Sequence, residues 1–301
     1  MLFYEQNVAH IKQVHNHVKT VHPLRYIMKL KITLAGATGW MGKALAAAIH
    51  ASPHLQLVSA IDPLHAQENL GHILNIPDLD IIIAHDVDQA ITQSPSQIFV
   101  DFTTPNSVKK NVLTAIAHGL HVVIGTSGLT EQDYTDIDEA AKHHNVGVIA
   151  AGNFSLTAAL MKHFATIAAR FIPEWEIIDY ASAQKPDAPS GTARELAEAV
   201  SRVREPIIQI PIEQTFGVKE TRGGEINGTR IHSVRLPGYT LSTQIIFGML
   251  DEKLLLSHDA GNSPVPYIHG VLLALRKVSS TVGVTRGLDA LLELTDRHYR
   301  N

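Results

Sequence analysis

The stretch from Ile32 to Asp62 constrains the fold more than any other part of the chain. Ile32, Thr33 and Leu34 read as a short β-branched strand. Gly36-Ala37-Thr38-Gly39-Trp40-Met41-Gly42 follows, where the apolar spacing turns helical through Leu45, Ala48 and Ile49. A second strand, Leu55 to Ile61, ends on Asp62. Strand, glycine turn, helix, strand and acid form the unit that holds a dinucleotide. Gly36 permits the tight turn, Gly39 lets backbone approach a pyrophosphate, and Gly42 lets helix pack closely on strand. Free N–H groups and the positive dipole end at the helix start favour a phosphate. Asp62 lies about 20 residues past the last glycine, where an acid accepts hydrogen bonds from the adenosine ribose. The spacing is G-x-x-G-x-x-G rather than G-x-G-x-x-G, so the context of strand, helix and acid carries the reading.

Composition narrows the partner. The chain has 301 residues, 45% hydrophobic and 18% charged, which suits a globular protein of one large or two modest domains. A net charge of -4 provides no basic field for nucleic acid or an anionic membrane, so a small molecule is the expected partner. With no cysteine, disulfides, thiolate metal sites and a cysteine nucleophile are excluded. No apolar run approaches the roughly 18 residues that span a bilayer. The histidines form no motif with carboxylate support, so no metal site is expected.

Residues 1–27 read as an N-terminal extension, expected to be disordered, with Met28 a natural start. From there to residue 152, short apolar strands alternate with helices. Leu79 to Ala84 is an apolar run. Ile98 to Phe102 and His121 to Ile124 are buried-type strands. Helices are expected at Val108 to His118 and Glu131 to His143, and Val146 to Ala150 is the next strand. This rhythm argues a Rossmann-type, doubly wound parallel sheet with ligands at the strand C-termini. Past Ala151 it changes. A helix from Leu156 to Phe171 and a strand from Trp175 to Tyr180 precede strands at Ile207 to Ile212, Ile231 to Leu236, Thr243 to Phe247 and Leu254 to His258. These suggest a second, α+β domain with an open mixed sheet at residues 153–261, the helices after 262 returning to the first domain.

Lys185-Pro186-Asp187-Ala188-Pro189-Ser190-Gly191-Thr192 is the second informative stretch. Ala193, Leu196, Ala197 and Val200 have helical spacing, so Ser190 or Thr192 starts a helix whose free N–H groups suit a carboxylate. Lys185 lies upstream on the same loop, and an ammonium converging on a helix start makes an anion pocket. A serine-capped helix beside a solvated lysine is the plainer reading of the same residues.

Taken together, Met41-Gly42, Val100-Asp101-Phe102-Thr103, Val123-Ile124-Gly125-Thr126, Asn153-Phe154-Ser155, the Lys185 loop and Ile231-His232-Ser233-Val234-Arg235 resemble 4-hydroxy-tetrahydrodipicolinate reductase, also called dihydrodipicolinate reductase. Order and spacing match over nearly the whole chain from Met28. The resemblance implies a cytoplasmic, usually tetrameric enzyme of the diaminopimelate and lysine pathway that reduces a cyclic, unsaturated dicarboxylate with NADPH or NADH. Carried over position by position, Gly36, Ala37, Thr38, Gly39, Trp40, Met41, Asp62, Gly125, Thr126, Ser127, Ala151, Gly152, Asn153 and Phe154 match the cofactor site. Ser190, Gly191 and Thr192 match the substrate carboxylate site, and Lys185 a catalytic proton donor.

One departure stands out. Members usually carry a His-His pair just before the lysine loop, the first histidine proposed as acid or base and the second as a substrate contact. Here Ala181 and Ser182 hold those positions, so Ser182 is the expected contact, and Tyr180 or water is left as a substitute acid beside Lys185. Pro63 follows Asp62 where an arginine is common, which leaves NADH against NADPH open. Two other readings fit the same residues: reduction of a different cyclic imine or unsaturated carboxylate, and a cofactor-binding sensor without turnover. His232 and Arg235, on an expected strand, either reach a dicarboxylate or serve strand packing.

Overall fold

The computed structural model describes residues 29–296, and the expected extension at residues 1–27 lies outside them. The first half runs β1 (Leu30–Ala35), α1 (Trp40–Ala51), β2 (Leu55–Ile61), α2 (Leu70–Leu74), α3 (Val87–Gln93), β3 (Ile98–Asp101), α4 (Val108–Ala117), β4 (His121–Ile124), α5 (Glu131–His143) and β5 (Gly147–Ala150). The second half runs α6 (Leu156–Ala169), β6 (Trp175–Ala181), α7 (Gly191–Val203), β7 (Gly224–Ile226), β8 (Thr229–Arg235), β9 (Leu241–Met249) and β10 (Glu252–Ala260). It closes with α8 (Val265–Lys277), β11 (Gly283–Arg286) and α9 (Asp289–Asp296).

Two sheets result. The first has the order β11-β5-β4-β3-β1-β2 and is parallel throughout. Its inner strands are apolar on both faces because helices cover both. Leu45 and Ile49 of α1 and Val271 and Leu275 of α8 pack with Ile32 and Leu34 in one cluster. Val112 and Ile116 of α4 and Ile137 of α5 pack with Phe99, Val122 and Val148 in the other. The chain crosses one way from β1 to β2 and the other way from β1's far side onward. The switch point therefore lies at the C-terminal ends of β1 and β3, where a crevice opens for a ligand.

The second sheet has the order β10-β9-β6-β8-β7, with β6 and β8 parallel and the other pairs antiparallel. Along β6, Trp175, Ile177, Asp179 and Ala181 are buried under α6 and α7, while Glu176, Ile178 and Tyr180 alternate onto the opposite, partly open face.

Three local stretches correct or add to the reading of the sequence. Leu79 to Ala84 forms no strand; it makes single bridges, Ala84 to Ile61 and Ile82 to Asn69. The strand expected over Ile207 to Ile212 is irregular backbone ending in a 3-10 turn at Ile212–Gln214. Pro206 and Pro211 remove two backbone donors there, and Ile210 is 63% exposed. β11 was hidden by its length: four residues, Gly-Val-Thr-Arg, too short to show a period.

Candidate active site

The glycine turn is shaped by contact. Gly36 has φ +75°, and a Cβ there would strike the Phe102 carbonyl. A Cβ on Gly42 would overlap the Gly36 carbonyl, so helix α1 lies directly on the turn. Gly39 differs: only the Gly36 oxygen, at 3.3 Å, would touch its Cβ. Gly39 is also the N-cap of α1, makes no side-chain cap, and is followed by no acid in the first turn. Trp40 and Met41 N–H have no hydrogen-bond partner among the described residues. The donor set thus fits a pyrophosphate, which needs unblocked amides at a positive helix end. Thr38 Oγ1 donates to Asp62 Oδ2, while Asp62 Oδ1 accepts from Leu64 N at 3.2 Å, which fixes the carboxylate at the end of β2.

Asp101, fully buried at the end of β3, organises the next loops. Its Oδ1 accepts from Thr103 N (3.0 Å), Thr103 Oγ1 (2.7 Å) and Thr126 Oγ1 (2.6 Å), and its Oδ2 from Asn111 Nδ2 (3.0 Å). Thr126 also accepts from Thr103 N at 2.8 Å. A Cβ on Gly125 would enter the Phe102 ring. Thr126, Ser127 and Gly152 line a cleft of about 650 Å³ whose other wall carries Glu195, Glu198 and Arg202 of α7. Burial pushes the Glu195 carboxyl up, against the pull of Lys162. Phe154 is buried and faces Phe102, ring centroids 6.0 Å apart.

On the second sheet, Ser190 caps α7: its Oγ accepts from Ala193 N at 3.3 Å, and its carbonyl from Arg194 N at 2.9 Å. Gly191 N and Thr192 N have no partner among the described residues, and a Cβ on Gly191 would meet nothing within 4 Å. Two amides therefore face open space at a positive helix end. Lys185 Nζ lies 2.8 Å from Asp187 Oδ1 and holds the Asp187 carboxyl below the usual carboxylate range. Ser182 and Lys185 share one turn, Lys185 N donating to the Ser182 carbonyl at 3.0 Å. Asn153 Nδ2 donates to Thr192 Oγ1 at 3.1 Å, which joins the loop after β5 to the start of α7.

The sites at either end of that bond lie at the carboxyl ends of β1, β3, β4 and β5 and on the loop after β6. Residues 30–154 match the family described as Dihydrodipicolinate reductase, N-terminus, and residues 155–292 match Dihydrodipicolinate reductase, C-terminus. The chain belongs to the dihydrodipicolinate reductase family. A 4-hydroxy-tetrahydrodipicolinate reductase of Desulfitobacterium hafniense (strain DSM 10664 / DCB-2) is 39% identical over 88% of this chain and 99% of its own. One of Bacillus cytotoxicus is 35% identical over the same shares of the two chains. The structure of a dipicolinate-bound dihydrodipicolinate reductase from Paenisporosarcina sp. TG-14 superposes with a TM-score of 0.78 at 29% identity, covering 87% of this chain and 99% of that one.

Against this dihydrodipicolinate reductase background, the departure at Ala181 and Ser182 has a structural expression. Ala181 is 0% exposed and turned toward the helices. Tyr180, the substitute considered from sequence, points to the opposite face of β6 and stacks on Tyr239, centroids 4.9 Å apart. Period-2 alternation separates it from Asp179 and Ala181, which face α7. His232 is held on that same opposite face by Glu176, at 2.7 Å. Arg235 pairs with buried Asp179 at 2.7 Å. Burial raises the Asp179 carboxyl, but Ser190 and Arg235 outweigh it, and the net direction is down. Sequence reasoning missed Asp101, Asp179 and Asp187 as site-building groups. The only signal was a lone acid at the end of an apolar strand, Val100-Asp101 and Ile178-Asp179.

Proposed function

We propose that this chain reduces 4-hydroxy-tetrahydrodipicolinate to tetrahydrodipicolinate with NADH or NADPH, the 4-hydroxyl leaving as water, as a step of diaminopimelate and lysine synthesis. The observation that carries the reading is the Asn153–Thr192 hydrogen bond, because it joins the loop at the end of the first sheet to the open amides of Gly191 and Thr192. A bound nicotinamide supplies a hydride. The protein's share is to orient the reactants and to steady charge. Gly191 N, Thr192 N and Thr192 Oγ1 hold one substrate carboxylate. Lys185, held by Asp187, faces the dicarboxylate and would supply a proton to the electron density that hydride addition creates. Ser182 contributes a hydroxyl at the mouth of the loop. Gly36 to Met41 with Asp62 hold the adenosine half of the cofactor, and Gly125 to Ser127 with Ala151 to Phe154 hold the nicotinamide half.

The same reading divides the chain into a dinucleotide-binding domain, residues 28–152 and 262–301, and a substrate and oligomerisation domain, residues 153–261. The placement of β11 in the first sheet supports it. A homotetramer is the expected assembly, supported by the uncovered face of the second sheet, where Leu255 is 50% exposed, and by exposed Ile207, Ile210 and Phe216. A cytoplasmic location fits a soluble biosynthetic enzyme; no helix of the described residues is long and apolar enough to cross a membrane. A second reading, reduction of another cyclic imine or unsaturated carboxylate, draws on buried Ala181, which offers no proton where relatives usually have one.

The test is to mix purified protein with freshly prepared 4-hydroxy-tetrahydrodipicolinate and follow loss of nicotinamide absorbance with each cofactor. Substrate-dependent oxidation supports the first reading. Tight cofactor binding with no turnover sends the assignment to the second.

A further inference from the structure

We propose that the pair of buried Asp179 and half-buried Arg235 is the positioning element of the lysine loop, aiming Lys185 through Asp187 and the open amides of α7 through Ser190. The proposal rests on the reading of that loop as the dicarboxylate site. The loop leaves β6 after Ala181 and enters α7 at Gly191, and it is pinned at two points. Asp179 Oδ2 accepts from Ser190 N at 2.8 Å, and Arg235 NH2 donates to the Asp187 carbonyl at 2.8 Å. Asp187 in turn holds Lys185. One ion pair therefore sets both halves of the anion cradle.

The geometry of the pair argues against a purely structural role. A guanidinium and a carboxylate left to satisfy each other adopt a two-pronged fork that uses both oxygens. Here Asp179 Oδ2 alone collects Ser190 N, Ser233 Oγ (3.1 Å) and Arg235 NH2 (2.7 Å). Asp179 Oδ1 and Arg235 Nε are buried with no hydrogen-bond partner among the described residues. Arg235 NH1 instead reaches the Asp179 and Val234 carbonyls, at 3.1 and 3.0 Å. The fork has been given up, and what it gains is the grip on Ser190 and Asp187. Register adds to this: Arg235 lies directly beside Ala181, the last residue before the loop. Lysine at 235 keeps the charge but has no planar guanidinium, whose NH1 rests on the Asp179 and Val234 carbonyls while NH2 bridges Asp179 Oδ2 and the Asp187 carbonyl.

The experiment compares Arg235→Lys, Asp179→Asn and Ser233→Ala with the wild type. Ser233 donates to the same oxygen and makes no hydrogen bond to the loop among the described residues, so it controls for the loss of one donor to Asp179. KM for the dicarboxylate, kcat, KM for the cofactor, dipicolinate affinity by calorimetry and amide exchange at Ser190 are measured with thermal midpoints. Arg235→Lys and Asp179→Asn are expected to raise the dicarboxylate KM and the dipicolinate Kd by about 10- to 100-fold. They leave the cofactor KM unchanged and speed exchange at Ser190, while Ser233→Ala moves only the melting point. If Asp179→Asn does not fold, Arg235→Lys decides alone. Variants that melt earlier yet keep wild-type KM, dipicolinate affinity and Ser190 exchange overturn the proposal. A wild type that neither turns over nor binds dipicolinate overturns the functional reading instead. The anchoring then stands or falls on Ser190 exchange in Arg235→Lys.

Discussion

Two buried carboxylates, Asp101 under the loops after β3 and β4 and Asp179 under the lysine loop, solve the same problem in different ways. Asp101 is satisfied by neutral donors on both oxygens: a backbone amide, two threonine hydroxyls and a carboxamide. Asp179 takes a guanidinium, an amide and a hydroxyl on one oxygen and leaves the other unpaired. The first arrangement is closed, and it sits beside glycines whose neighbours leave no room for a Cβ. The second is open, and it sits beside Gly191, where a Cβ would meet nothing within 4 Å among the described residues. The proposed dinucleotide side is thus fixed by steric fit, the proposed dicarboxylate side by charge and unspent hydrogen-bonding capacity. Substitutions should fail differently on the two sides: the first by unfolding, the second by losing ligand while the fold survives.

The largest effect tests the charge-based side. Lys185→Ala is expected to lower kcat about 10²- to 10⁴-fold, because no histidine precedes the loop to supply the proton. Cofactor affinity, read by fluorescence titration, should stay near wild type. Near-normal turnover in this variant removes Lys185 from the mechanism.

Gly42→Ala comes next and tests the steric side. The new Cβ runs into the Gly36 carbonyl, which is backbone and cannot step aside, so the cost is about 3 kcal/mol or a shifted helix α1. A lowered thermal midpoint with weakened cofactor binding is the expected result. A midpoint equal to wild type contradicts the close packing. Gly191→Ala is the sharper partner experiment. Its methyl meets open space, so the melting curve should not fall, while the dicarboxylate KM rises about tenfold because the approach to two amides is obstructed. If Gly191→Ala instead unfolds the protein with KM intact, the contrast between the two sides is wrong.

How much of this could be read from the chain follows the same division. Steric requirements leave marks in sequence: Gly36, Gly39 and Gly42 at fixed offsets, then Asp62, mark the turn from β1 into α1 and the end of β2. Short-range patterns do so as well, as in the helix at Glu131–His143 with its Thr130 and Asp133 capping box. What stayed hidden joins residues far apart. Asp179 and Arg235 are 56 positions apart, and each looks like one more charge in an alternating strand. Arg235 was weighed as a dicarboxylate contact, and nothing local distinguishes that from a grip on the loop. Tyr180 and Lys185 are near in sequence, yet the pleat turns Tyr180 to the other face. Ile207 to Ile212 looked like a strand because its composition is β-like, although no neighbouring strand pairs with it.

The smallest expected effect asks whether the two sides melt as one unit in mild acid. Each has a half-buried or buried histidine whose pKa is lowered from 6.5 by burial: His121 on β4 and His258 on β10. His121 Nδ1 accepts from Gly147 N at 2.9 Å, which requires the neutral ring, and His258 Nδ1 meets Thr157 Oγ1 at 3.0 Å. Because both folded pKa values lie below the unfolded one, the unfolded chain binds more protons as pH drops past 6.5. Stability is therefore full above that pH and declines as pH falls toward the folded values. Asp179 and Asp187 contribute a separate loss only lower, as pH falls from 3.8 toward their depressed values. Thermal melts between pH 7 and pH 5 should shift down by a few degrees. His121→Asn, whose amide oxygen replaces the Nδ1 acceptor, should remove part of that shift, and His258→Asn another part. A wild-type midpoint flat across this range rules out both histidines. If each variant flattens a different transition of a two-step melt, the two sides unfold separately. A single transition that either variant moves as a whole means the Asn153–Thr192 contact and the packing around it bind steric and electrostatic halves into one cooperative unit.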